Sequence, residues 1–183
     1  MEELRERLRR RGPRPVEALE SESRRAAVLV PLFVRDGALW VVLTRRTETV
    51  EHHRGQISFP GGGEEPDDES LLDTALRETD EEIGVAPDDV WYLGELSPIV
   101  TVTDFYVEPF VGAIPQPYAF RPAEAEIAEV IEVPVPALLR PGVLERRALA
   151  GRDEPVLFYH HGAHVIWGAT ARILKELLDA IAA

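Results

Sequence analysis

Between Gly63 and Val85 the chain gathers negative charge to a degree that few local structures tolerate. Residues 64 to 82 hold ten acidic side chains and one basic one, Arg77. Glu78, Glu81 and Glu82 stand at i, i+3 and i+4, so on a helix their carboxylates share one face, about one turn apart. A merely solvated helix would intersperse Lys or Arg to relieve that repulsion. Carboxylates so placed supply the hard oxygen donors that Mg²⁺ or Mn²⁺ prefers, and the stretch reads as a metal site.

The apolar positions place this stretch on a helix over residues 71 to 83. Leu72, Ala75, Leu76, Thr79 and Ile83 follow the 3.6-residue period, and their stripe lies beside the carboxylate face. Ser70 followed by Asp73 forms a capping pattern, and Gly84 suits the left-handed position just past the last turn. Glu69, nine residues before Glu78, belongs to the loop ahead of the cap, where Arg77 could hold it or an adjacent carboxylate.

Residues 63 to 85 resemble the signature of the Nudix hydrolases, G-x5-E-x7-R-E-U-x-E-E-x-G-U with U a bulky aliphatic, departing from it at Thr79. Thr79 sits on the packing stripe, so a structural role is expected of it. The resemblance implies an α/β/α sandwich with a mixed β-sheet and a divalent-metal-dependent hydrolase that splits a diphosphate joined to a further moiety. It implies Glu78 and Glu82 as direct ligands of Mg²⁺ or Mn²⁺, with Glu81 as a further or bridging ligand. The general base is left as one carboxylate of this cluster, Glu69 included, or a Glu from outside it. Cations would screen the diphosphate and lower the pKa of the attacking water.

Two flanking segments narrow the resemblance to the coenzyme A pyrophosphatase branch of that family. Leu43-Thr44-Arg45-Arg46 followed by His53-Arg54-Gly55-Gln56-Ile57-Ser58-Phe59-Pro60-Gly61-Gly62 is similar to the segment preceding the signature there, with Thr47 for Ser and Val50 for Leu. His164 to Arg172 resembles an I-W-G-x-T-A segment of the same branch. The resemblance spans residues 26 to 183, with residues 1 to 25 as an N-terminal helical extension. It implies release of 4′-phosphopantetheine and adenosine 3′,5′-bisphosphate, and a homodimer. Arg45, Arg46, His53, Arg54, Gln56 and Phe59 are the candidate substrate-binding residues; the arginines and histidines suit phosphate groups, and pairing with surface acids is the competing reading for Arg45 and Arg54. Pro60 and the three glycines after it let backbone approach a ligand, and the Gly63 carbonyl is a candidate metal donor. Ala125-Glu126-Ile127 stands where many members carry N-E-V, which offers Glu126 as an extra ligand or base; Glu124 and Glu129 compete with it. ADP-ribose, NADH or another nucleoside diphosphate derivative is the rival substrate class, and a non-catalytic nucleotide sensor the rival of another kind.

Composition closes off other chemistries. With 183 residues and 45% hydrophobic side chains the chain suits one substantial core. A formal charge of −13 argues against nucleic-acid binding through phosphate neutralisation. The absence of cysteine removes disulfides, zinc thiolates and a cysteine nucleophile. The N-terminus is charged throughout and no apolar run approaches membrane-spanning length, so a cytoplasmic protein is expected. Histidines 160, 161 and 164 lack a matching carboxylate pattern and read as packing or surface residues. Helices are predicted over 2–11 and 169–181, and strands over 26–34, 38–44, 56–59, 90–96, 105–114, 129–133 and 163–167.

Overall fold

Apolar alternation on two long strands builds the centre of the molecule. The computed structural model describes residues 1–14, 24–48, 55–149 and 154–183. Strand β1 (Arg24–Arg35) turns through Asp36-Gly37 into β2 (Ala38–Arg46), and the two pair antiparallel. On β2, Val41 and Leu43 face one side and Trp40 and Val42 the other, and each side has its own buried cluster. Both faces are therefore covered, as a sandwich requires.

The remaining strands add to this pair. They are β3 (Ile57–Ser58), β4 (Gly61–Gly63), β5 (Trp91–Glu95), β6 (Ile99–Val100), β7 (Phe105–Ala113) and β8 (Ile127–Pro134). The main path runs β3-β2-β1-β7-β5, with β4 on β1, β6 on β7 and β8 on β2. Strand β7 runs parallel to β1 from Arg24 opposite Phe105 to Leu32 opposite Ala113, while the other pairings of this sheet are antiparallel. The sheet is mixed, as expected.

Helix α2 (Leu71–Ile83) covers one face through Leu71 and Ala75, which pack on Ala27, Leu29 and Phe110. Its ends are fixed by local chemistry: the Asp73 amide donates to the Ser70 hydroxyl, and Gly84 adopts φ 71°, ψ 29°. The packing stripe is rotated from the expected one. Leu71, Thr74, Ala75, Thr79, Glu82 and Ile83 are buried, whereas Leu72 and Leu76 are only partly so. Thr79 is fully buried and its hydroxyl donates to the Ala75 carbonyl at 2.6 Å.

The opposite face is covered by α1 (Glu2–Arg11), the short α3 (Val135–Leu138), α4 (Gly168–Ala182) and a three-stranded sheet of β9 (Leu144–Arg147), β10 (Val156–His161) and β11 (His164–Trp167). Leu4 and Leu8 of α1 enter the same core as Ile173, Leu174, Leu177 and Leu178 of α4. The N-terminal helix is thus packed into the main core. Among the described residues no helix is long and apolar enough to cross a membrane.

Candidate active site

The acidic face of α2 lies against the glycine strand β4. A Cβ built on Gly62 would stand 2.5 Å from the Glu78 carboxylate, so the carboxylate occupies the space a side chain would take. One turn on, Glu82 is 5% exposed, and its Oε2 accepts from the Gly61 amide at 3.3 Å. Glu81, the third member, is exposed.

Two arginines neutralise this face. Arg77 donates from Nε and Nη2 to the two oxygens of Asp68 at 2.9 and 3.0 Å, a forked pair, and from Nη1 to Glu78 at 3.0 Å. Its Nη2 also donates to the Gly63 carbonyl at 3.1 Å. The guanidinium therefore ties the loop before α2 to the helix and to β4. Asp68 is the carboxylate it holds; the neighbouring Glu69 is exposed, one residue before the cap. Arg46, from the end of β2, donates to Glu82 at 3.1 Å and to Glu126 at 3.3 Å. Glu126 thus faces α2 from the opposite wall, while Glu129 turns to the other side of the sheet, where Arg45 and His164 hold it.

Electrostatics follow from burial. Desolvation raises the Glu82 carboxyl to about 7, against the pull of Arg46 and the Gly61 amide, and Glu78 and Glu126 push it the same way. Desolvation likewise raises Glu78, with Arg77 opposing. Asp68 is held well below the usual carboxylate range by Arg77, and Arg77 is correspondingly held charged. A carboxyl raised this far by burial, with other acids beside it, is a candidate functional group.

The other sequence candidates fall in three places. Arg45 and Gln56 line a cavity of about 610 Å³, together with Ile57, Glu129, His164 and Trp167. His53 and Arg54 lie outside the described residues. Phe59 is 2% exposed and belongs to the main core cluster with Leu43 and Ile57, so packing accounts for its burial. The sequence reading missed Asp68, His164 and Trp167 as members of these sites. The last two sit in the I-W-G-x-T-A-like segment, which is the signal that could have found them.

Among the described residues no group of three or more His, Asp or Glu side chains is gathered closely enough to hold a metal ion. Arginines stand among the acids instead. The donor chemistry nonetheless fits a hard divalent cation, since Glu82, Glu78, Glu81 and the Gly63 carbonyl are all oxygen donors.

A model of the NUDIX domain matches residues 23–152 of the chain. The chain belongs to the Nudix family. Two relatives, each described as an uncharacterized Nudix hydrolase NudL, bear this out. The one from Photorhabdus laumondii is 35% identical over 171 residues, 92% of this chain and 91% of the relative. The one from Enterobacter sp. (strain 638) is 40% identical over 159 residues, 84% of this chain and 81% of the relative. A MutT/nudix protein from Enterococcus faecalis shares the fold at a TM-score of 0.57 and 19% identity, over 92% of this chain and 64% of that one. The NUDIX domain of Shewanella oneidensis NrtR, solved with ADP ribose, does so at 0.52 and 21%, over 69% and 81%. The Nudix chain described here is a pyrophosphohydrolase of the α/β/α sandwich type, from a family whose enzymes generally need a divalent metal ion.

Proposed function

We propose that this Nudix hydrolase cleaves the diphosphate of coenzyme A or its derivatives, giving 4′-phosphopantetheine and adenosine 3′,5′-bisphosphate. The observation that carries the reading is a convergence. The two flanking segments that resemble the coenzyme A branch lie more than a hundred positions apart, yet Arg45 and Gln56 from one and His164 and Trp167 from the other line the same cavity. That cavity adjoins β2, whose next residue, Arg46, reaches the acidic helix. Strand β2 therefore offers a cationic group to each side: one to the reacting diphosphate, one to the rest of a long substrate.

The roles follow from position. Glu82, Glu78 and Glu81, with the Gly63 carbonyl, would hold Mg²⁺ or Mn²⁺, which supplies charge neutralisation of the diphosphate and a more acidic attacking water. Arg77 keeps the Gly63 carbonyl and Glu78 in fixed relation, as a positioning residue. Glu126 or Glu69 would accept the proton from the attacking water; both are exposed carboxylates, and Glu126 is joined to the acidic face through Arg46. Water adds across the P–O–P bridge: its oxygen joins one phosphorus and the bridging oxygen leaves with the other.

Purified protein with Mg²⁺ or Mn²⁺ should turn over coenzyme A faster than ADP-ribose, NADH or dinucleoside polyphosphates, with the two named products identified by mass. Faster cleavage of ADP-ribose than of coenzyme A would transfer the function to that class, which the ADP-ribose-bound NrtR domain of like fold favours as the second reading. Tight nucleotide binding without turnover of any of them would make the chain a sensor.

A further inference from the structure

Arg46 bridges acids of two segments, Glu82 on α2 and Glu126 just before β8. Its Nη1 donates to Glu82 at 3.1 Å and its Nη2 to Glu126 at 3.3 Å. The backbone fixes the base of this bridge, since the Arg46 amide donates to the Gln56 carbonyl at 3.0 Å and the Thr47 amide to the Glu126 carbonyl at 2.8 Å. Glu82 is buried, Glu78 and Arg77 are paired beside it, and Arg46 places its charge on Glu82 Oε1 while the Gly61 amide holds Oε2. A guanidinium does not lose its proton at any pH the protein meets. It yields its place only by moving.

We propose that Arg46 is a placeholder cation: it neutralises Glu82 and Glu126 in the metal-free protein, and its departure from Glu82 accompanies metal entry and frees the fork for the substrate diphosphate. This rests on Glu82 being a metal ligand. A divalent ion and a guanidinium repel strongly at such distances in a partly buried setting, whereas a diphosphate offers the guanidinium the bidentate partner it has lost. Metal and substrate then help each other reciprocally through one side chain. Metal binds the free protein more weakly than its carboxylates alone would allow.

The test is Mn²⁺ binding to the substrate-free protein, read from the electron paramagnetic resonance of unbound Mn²⁺, for wild type, Arg46→Gln and Arg46→Lys. Arg46→Gln should bind Mn²⁺ at least about tenfold more tightly, one unit charge having been removed beside the site, while Arg46→Lys, which keeps the charge, should stay within about threefold of wild type. Equal or weaker binding by a folded Arg46→Gln overturns the proposal. The wild type gives an independent reading should that variant not fold: the Arg46 Nε–H signal of labelled protein should shift on saturation with Mg²⁺, and an unmoved signal at saturation overturns the proposal equally. Failure of the underlying metal assignment looks different, because wild type and Glu82→Gln would then bind Mn²⁺ alike.

Discussion

Replacing Glu82 by Gln separates what the buried carboxylate does for chemistry from what it costs the fold. The side chain keeps its volume, and its oxygen can still accept from Arg46, at 3.1 Å in the wild type. What disappears is a charge in a site 5% exposed. Burial raises this carboxyl from 4.5 to about 7, so between those values the folded state binds more protons than the unfolded one. Stability contributed at this position is therefore full below about pH 4.5 and falls as pH rises towards 7. At about 1.4 kcal/mol per tenfold change in the proton equilibrium, ionising Glu82 in place costs the metal-free fold about 3 kcal/mol by pH 8. Denaturant unfolding of both proteins in chelator should show the variant gaining on wild type by about 2 kcal/mol between pH 5 and pH 8. Saturating Mg²⁺ should raise the wild type and leave the variant unmoved, while turnover by the variant falls by about two orders of magnitude or more. A stability difference that ignores pH, or a variant that keeps full turnover, would refute the assignment of a buried, ion-binding carboxylate here.

Three further perturbations probe the frame around that site. Asp68→Asn removes the forked partner of Arg77 and should cost about 2 kcal/mol at pH 7; because the Asp68 carboxyl is held below its ordinary value, that advantage should be lost in wild type as pH falls below about 4, so that melting temperatures of the two proteins converge in acid. Gly62→Ala puts a methyl group where the Glu78 carboxylate lies, and should lower kcat by about a hundredfold with the fold retained in circular dichroism; unchanged kcat would mean that Glu78 need not sit there. Leu8→Ala empties a position 2% exposed in the main core and should destabilise the protein by about 2 to 4 kcal/mol in thermal or denaturant melts. A loss near zero would show the N-terminal helix to be dispensable for folding.

The parts of this molecule that sequence made legible are those governed by local rules. Helix α2 runs from Leu71 to Ile83 because a Ser cap, a 3.6-residue period and a left-handed glycine act within a few residues of each other. Strands β1, β2 and β7 were visible as long apolar runs. Strand β4 was not, since Gly61, Gly62 and Gly63 have no strand propensity; they pair with Ala26, Ala27 and Val28 through backbone alone, because tertiary context brings β1 alongside. The same limit applied in the site. That Arg77 serves Asp68 rather than Glu69 depends on a turn in which the Asp68 amide reaches back to the Glu65 carbonyl, and charge spacing carries no trace of it. The burial of Glu82 was hidden for a similar reason: the stripe that packs is rotated towards it by contacts with β1 and β4.

Strand β2 ends on two consecutive arginines with opposite duties. Arg45 pairs across the ladder with Glu129, which His164 also holds, while Arg46 crosses to the acidic helix, and the ladder with β8 shifts register between them. Deleting one residue from the strand would exchange the two guanidinium groups between the two faces of the sheet, sending the cavity's cation to the acidic helix and the reverse. Length in this part of the chain is therefore constrained by where the two guanidinium groups sit as well as by packing, and tolerated insertions should fall beyond Arg46 rather than within β2.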